Sequence, residues 1–392
     1  MANRTQFLAG VFLICMCVLM LQIVETRLLS VISFYHLAFF AISMAMFGMT
    51  AGSLIVYFNP QLFTPERLSG NLAWTAAAFA VAVALSTAVL ISTVVIDPAS
   101  GFVLAVLLWA KVIAALVPPY VFAGMAISLA LTRSPWPVGI VYGVDLAGAA
   151  FGCLGALALM STLDGVYAML MVGAIGAAAS FAFALAGRGT GAVALPSWLG
   201  VLQRPGVLVI GLALLAIGNA SIQPHGLRLT VAKGQIEDIS NFEYVKWNSY
   251  SRIVAEKTVR TYPMMWGGSP KVQYSNIDQR YMNIDGDAGT SMYRFGGNID
   301  DVAFLKYDIT SLAYYIRNRG RSAVIGVGGG RDLLTAYLFG FRDVTGVELN
   351  SIFVDLFERR FRDFNHLADL PGVTLQVDEA RSWFASAGRD RN

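Results

Sequence analysis

The chain has 392 residues, of which 56% are hydrophobic and 14% charged, with a mean hydropathy of +0.60. That hydropathy is too high for an ordinary soluble enzyme, and a formal net charge of +3 without a basic run gives no footing for nucleic acid. Three histidines argue against a histidine-based metal site. Cys15, Cys17 and Cys153 lie in apolar stretches and read as small buried hydrophobes, neither disulfides nor metal ligands.

Seven apolar segments follow in order: Phe7–Val24, Val31–Phe58, Leu72–Ile96, Phe102–Leu131, Val138–Leu163, Val166–Ala186 and Gly206–Ile222. A helix needs about 20 residues to cross ~30 Å of hydrocarbon. The first six reach that length and the seventh is borderline. Met1–Arg4 and the apolar run after it mimic a signal peptide, but no convincing cleavage site is present and more spans follow, so the first helix is read as retained. Pro118-Pro119 predicts a kink or break in the fourth segment. Gly48-x-x-x-Gly52 and Gly148-x-x-x-Gly152 have the spacing that lets helices approach closely, a spacing that chance also produces in glycine-rich spans.

Polar residues interrupt these segments. Lys111 and Asp145 are a candidate pair lining a polar membrane site, with a structural ion pair or snorkelling side chains as the bland alternative. Glu25 and Arg27 read as an interfacial pair, and His36 as a hydrogen-bonded helix residue. With seven crossings, Arg4, Arg67, Arg133, Arg188 and Arg204 collect on one side, while Arg27, Asp97 and Asp164 fall on the other. The arginine side belongs in the cytoplasm. Seven crossings export the C-terminal part and six keep it inside. The expectation is a multi-pass protein of the inner membrane with a cytoplasmic soluble domain, the last segment lying in the interface or against the bundle.

Charge rises over Gln223–Asp300. Leu227–Ala232 and Arg252–Thr258 are β-prone, Asp285-Gly286 signals a hairpin, and Trp247, Tyr250, Tyr262, Trp266, Tyr274 and Tyr281 add aromatics that suit half-buried strands or a stacked acceptor. Val302–Asn318 reads as a helix leading into a nucleotide fold, with Tyr307 expected near the cofactor. Strand Ala323–Ile325 runs into Gly326-Val327-Gly328-Gly329-Gly330, then a helix over Leu333–Phe339 and a strand over Val344–Leu349 that carries Glu348. Glycines permit a tight turn whose N–H groups approach a ligand, and the helix start adds positive partial charge. Glu348 lies 22 positions after Gly326 (348 minus 326), where an acid reaches ribose hydroxyls. The dinucleotide pattern Gly-x-Gly-x-x-Gly fails, because its third glycine falls on Arg331 or Leu333. NAD or FAD is therefore the runner-up.

The spacing of Gly326, Gly328 and Gly330 resembles the S-adenosylmethionine loop of class I methyltransferases and polyamine synthases. Val324, two residues before the first glycine, is as in spermidine synthases. Val377-Asp378-Glu379-Ala380-Arg381-Ser382-Trp383 resembles that family's Gly-Asp-Gly-Arg-x-Phe stretch, and Tyr281-Met282-Asn283-Ile284-Asp285-Gly286 its strand and hairpin. Trp247–Ile253 fits the β-rich segment ahead of its catalytic domain. With Glu25–Ser30 and Tyr142–Ala149, most of the chain resembles membrane proteins in which a transporter-like part is fused to a spermidine synthase. Two departures bear on polyamine chemistry: Gly329 stands where the family has an Asp, with Asp332 three residues later, and Glu348-Leu349-Asn350 replaces Glu-x-Asp.

The resemblance implies a multi-span helical membrane domain (1–222), a β-rich segment (223–300) and a partial Rossmann-like α/β domain (301–392). It implies that S-adenosylmethionine or its decarboxylated form is the cosubstrate, without a metal. Gly326, Gly328, Gly329, Gly330 and Asp332 would line the loop, with Glu348 on the ribose and Asp378 on the adenine. It further implies aminopropyl or methyl transfer to an amine, as in polyamine biosynthesis. Gly372–Val377 reads as the third strand. The family's sheet needs about four more, and its catalytic Asp is expected beyond the C-terminus. A second chain completing the sheet is one partner, the lipid bilayer another. The alternative is a transporter-like or scaffold protein whose nucleotide domain only senses.

Overall fold

The computed structural model describes residues 3–33, 35, 38–94, 101–187, 197–222, 226–272 and 275–386. His36, Asp97, Arg188 and Tyr274 lie outside the described residues. The chain forms two compact units, one of Met1–Ile239 with Trp247–Arg252, the other of Ser240–Lys246 with Ile253–Asn392.

The first unit is built from α1 (Arg4–Ile32), α2 (Ala38–Phe58), α3 (Leu68–Ile91), α4 (Phe102–Arg133), α5 (Val138–Thr162), α6 (Gly165–Ala186) and α7 (Pro205–Ser221). Six of these are long and apolar enough to cross a membrane, and α7 is shorter, at 17 residues. Such a unit is that of a membrane-spanning protein by length and composition. Large apolar side chains such as Phe39, Phe47, Phe102, Leu107, Phe151 and Leu154 are exposed, as lipid-facing surfaces require.

Helix α1 runs eight residues past Val24, taking Glu25 and Arg27 inside it. Its polar side chains are satisfied locally. Thr26 Oγ1 donates to the Gln22 carbonyl and Ser30 Oγ to that of Arg27, both at 2.7 Å, so they do not break the helix. Side-chain caps fix two starts: Asn3 accepts from the N–H of Thr5, and Asp164 from that of Tyr167. The helix α4 continues through Pro118 and Pro119. Cys15 and Cys17 are buried, whereas Cys153 is exposed on α5.

Both small-residue spacings are helix contacts. A Cβ on Gly52 would lie 2.1 Å from the Val121 carbonyl oxygen, and one on Gly48 2.7 Å from Tyr120 Cβ, so α2 lies backbone-close on α4. Gly148 and Gly152 do the same for α5, 2.5 Å from the carbonyl oxygens of Phe12 and Met16 on α1. Without water to drive apolar association in lipid, such close packing is what holds helices together.

The seventh helix packs along α6. Gly206 at its start faces Phe181 near the end of α6, and Gly173 of α6 faces Leu212, so the two run antiparallel. Beyond α7, the Thr230 hydroxyl donates to the Ile91 carbonyl at 3.4 Å. The N–H groups of Lys233 and Gly234 reach the carbonyls of Val31 and Ile32. At the other end Asn3 N–H meets the Ala186 carbonyl and Arg4 stacks on Trp136. The chain therefore leaves the helical unit at the end opposite Arg4 and Ala186. Packing against the bundle is one of the two placements expected for this segment, whose 17 residues give ~25 Å at 1.5 Å each.

Small strands β1 (Val231–Ala232) and β2 (Gln235–Ile236) close this unit. The second unit has an antiparallel sheet of β3 (Phe242–Trp247), β4 (Arg252–Glu256), β5 (Val259–Thr261), β6 (Ile277–Ile284) and β7 (Ala288–Tyr293), in the order β3-β4-β6-β5 with β7 also on β6. Asp285 and Gly286, at φ +56° and +78°, make the expected β6–β7 turn. After α8 (Leu312–Ile316) come β8 (Ser322–Ile325), α9 (Arg331–Leu338), β9 (Val344–Glu348), α10 (Ser351–Asp355), α11 (Arg362–Asn365), β10 (Val373–Val377) and α12 (Ala380–Ser386). Strands β8, β9 and β10 form a parallel sheet in the order β10-β9-β8.

Two expectations change here. The β-rich stretch is divided between the units: Ile253, Met282, Met292 and Tyr293 share one buried core with Val324, Leu333, Ile352 and Phe357, whereas Leu229, Val231 and Trp247 belong to the core of the helical unit. A small sheet cannot bury its face alone. The helix expected over Val302–Asn318 is two 3₁₀ stretches, Ile299–Tyr307 and Ile309–Ser311, and the short α8. Asp308 interrupts it, since its carboxylate accepts from the N–H groups of Trp266, Gly267 and Thr310.

Gly52→Leu is expected to destabilise the helical unit by about 1–3 kcal/mol, because backbone atoms cannot yield to a side chain. Gly139, where a Cβ would meet no atom within 4 Å, is the control whose Ala variant leaves the thermal midpoint in detergent unchanged.

Candidate functional site

Strand β8 is hydrogen-bonded into the sheet up to its last residue, and Gly326 N–H still reaches the Val347 carbonyl at 2.9 Å. The chain then turns sharply. Gly326, Gly328 and Gly330 have φ of +77°, +49° and +76°, a region that costs other residues roughly 1–2 kcal/mol each. The glycines divide the work. Around Gly326 no atom lies within 4 Å of where a Cβ would stand, so this part of the loop is open. At Gly329 a Cβ would lie 2.2 Å from the Ser291 carbonyl oxygen of β7, and at Gly330 2.8 Å from Leu367 Cδ2. Those two let the loop rest on its support.

Glu348 ends β9 directly beside the loop. Its Oε2 accepts from Gly328 N–H at 3.3 Å and its Oε1 from Asn350 N–H at 2.9 Å. Only 8% of the residue is exposed. On the far side, Val377 of β10 pairs with Glu348, and Asp378 N–H donates to the Glu348 carbonyl at 3.1 Å. The Asp378 carboxylate accepts from Glu379 N–H at 2.7 Å. Thus Gly326–Gly330, Glu348 and Asp378 are brought together at the carboxyl ends of three neighbouring parallel strands, where open α/β sheets bind ligands.

Asp332 stands in the first turn of α9 and lies 3.5 Å from Arg331 Nε. Gly329 has a steric reason: the Ser291 backbone leaves no room for a side chain. Tyr307 is exposed, and its carbonyl accepts from Ser269 N–H at 2.8 Å.

A second cluster escapes the sequence pattern. Arg331, only 9% exposed at its side chain, lies 3.6 Å from Asp308 and under Trp266, 5.5 Å from the ring centre. Tyr293, on β7, donates to the Met264 carbonyl. Burial pushes its hydroxyl above the usual phenol range, and the nearby Arg331 pulls the other way. A charged residue directly after a glycine turn was the one available signal. Asp308 carries none, since its partners are distant in sequence.

The membrane pair does not form. Lys111 is exposed on α4, and Asp145 on α5 lies beside the Cys15 thiol. From the α4–α5 turn, Lys111 is 22 residues back and Asp145 only seven residues on, which separates them by roughly 20 Å along the bundle at 1.5 Å per residue. Nor do Glu25 and Arg27 pair: Glu25 turns inward, and Arg27 Nη1 donates to Ser30 Oγ at 2.7 Å.

Comparison with protein-family models, with curated proteins and with solved structures finds no match.

Gly329→Ala is expected to destabilise the second unit by about 1–3 kcal/mol through the clash with Ser291. Gly326→Ala, limited to its backbone strain, costs about 1–2 kcal/mol. Thermal unfolding followed by limited proteolysis ranks the two.

Proposed function

We propose that the chain is a membrane-integrated transferase of the spermidine synthase type, its second unit a Rossmann-like fold that binds S-adenosylmethionine or the decarboxylated form. The observation that carries this reading is the meeting of the glycine turn, Glu348 and Asp378 at three adjacent strand ends. The residues suit such a ligand. The open turn at Gly326 offers backbone approach, Glu348 accepts hydroxyl protons, and Asp378 accepts from an amino group. The ligand would supply an electrophilic sulfonium, and the chain's part is to hold it beside an amine acceptor. Calorimetric titration of the detergent-solubilised chain with S-adenosylmethionine, its decarboxylated analogue and NAD tests this. Saturable binding of an adenosyl sulfonium, lost at least tenfold in Glu348→Ala and weakened in Asp378→Ala, is expected. No binding, or a preference for NAD, overturns it.

A second reading is favoured by the course of α7. Arg4, Arg67, Arg133 and Arg204 flank the ends of α1, α3, α4 and α7 at the end opposite the chain's exit. By the positive-inside rule that end is cytoplasmic, and the second unit then lies on the outer side, away from adenosyl sulfonium supply. On this reading the protein is transporter-like or a scaffold, and its nucleotide unit only senses. A single cysteine at Arg319 in a background without Cys15, Cys17 and Cys153 distinguishes the two. Labelling by an impermeant thiol reagent in intact cells supports the second reading. Labelling only after lysis supports the transferase.

A further inference from the structure

Glu25 is fully buried inside the helical unit, at 0% exposure. It lies on α1, which packs against α2, α4, α5 and α6. It stands seven residues from either the midpoint or the end of this 29-residue helix, roughly 10 Å each way, and so within ~30 Å of hydrocarbon. Two other helices reach it. Tyr120 Oη of α4 donates to Oε2 at 2.7 Å, and Ser86 Oγ of α3 donates to Oε1 at 3.4 Å.

Among the described residues, no cation pairs with it. Helices α2, α3 and α6 carry no charged residue. On α4, Lys111 is exposed and Arg133 ends the helix. On α5, Asp145 lies against Cys15. On α1 itself, Arg27 bonds Ser30 and Arg4 stacks on Trp136 at the far end. Lys233 donates to the Ser30 carbonyl. Tyr120 is the titratable group that faces Glu25.

An ionised carboxyl buried without a counter-charge costs several kcal/mol, and an acid kept in a membrane interior at that cost marks a functional site. With no cation in reach among the described residues, the counter-charge is a proton. Tyr120 follows Pro118 and Pro119 directly. Neither proline donates an N–H, so the ladder to the carbonyls of Ala114 and Ala115 is missing and α4 has a weak point there. We propose that Glu25, with Tyr120 and Ser86, is a proton-exchange site of the helical unit, beside a stretch of α4 that stays helical without those two hydrogen bonds. The unit then binds a ligand, the proton, as well as anchoring the chain. This inference does not depend on the adenosyl reading, which concerns the other unit.

Infrared difference spectra of the full chain in detergent, stepped from about pH 4 to about pH 10, test it. A protonated-carboxyl stretch that shifts in D₂O and titrates reversibly is expected. It should be lost in Glu25→Gln and retained with a displaced midpoint in Glu25→Asp. Tyr120→Phe, which keeps the ring and removes one hydrogen bond, should displace the midpoint by about one pH unit. Native spectra that contain no titrating band assignable to Glu25 overturn the proposal. So does a band identical in native chain and Glu25→Gln. If Glu25→Gln does not fold, the Glu25→Asp and Tyr120→Phe midpoints decide: both unchanged overturns the proposal.

Discussion

Backbone-to-backbone approach at glycine is the constraint on which both units depend. In the helical unit there is no water to be released when apolar helices associate, so contact distance decides stability. Gly48, Gly52 and Gly124 seat α2 on α4, with the last facing the Met49 carbonyl oxygen at 2.4 Å, and Gly148 and Gly152 seat α5 on α1. In the second unit the same device fixes the loop. Gly329 lies on the β7 backbone, and Gly346 sits where a side chain would strike Val327 Cγ2 at 2.8 Å. Tight seating puts the loop where Glu348 can bond it.

Two buried carboxyl groups, those of Asp308 and Glu25, are each held by more than one partner. Asp308 accepts from three backbone N–H groups and faces Arg331. This clamps the stretch around Trp266 against the start of α9, and explains why a helix expected there breaks into 3₁₀ turns. Glu25 differs, since its partners are hydroxyls and not a cation. That contrast separates a structural ion pair from a carboxyl whose charge must be balanced in another way.

The loop itself is a compromise between support and access. Gly329 and Gly330 face protein, whereas Gly326 faces open space. Gly329 and Asn350 have separate physical reasons. Gly329 follows from the Ser291 carbonyl. Asn350 serves the fold, because its side chain accepts from Ile352 N–H and caps α10.

Sequence alone determined what local composition and period encode: seven apolar helices, the Asp285-Gly286 turn, and the strand–turn–helix–strand run from Ser322 to Glu348, with its glycines and acid in order. These are short-range properties, set by hydropathy and by the φ values that only glycine adopts cheaply. Tertiary structure decided the rest, because it depends on which distant groups meet. It sent Glu25 to Tyr120 and Ser86 instead of Arg27, and kept Lys111 far from Asp145. It laid α7 antiparallel along α6, and put Ile253, Met282 and Met292 in one core with the parallel sheet. The side chains alone carry no such information, since a carboxyl or a lysine finds its partner only once helix registers and crossings are fixed.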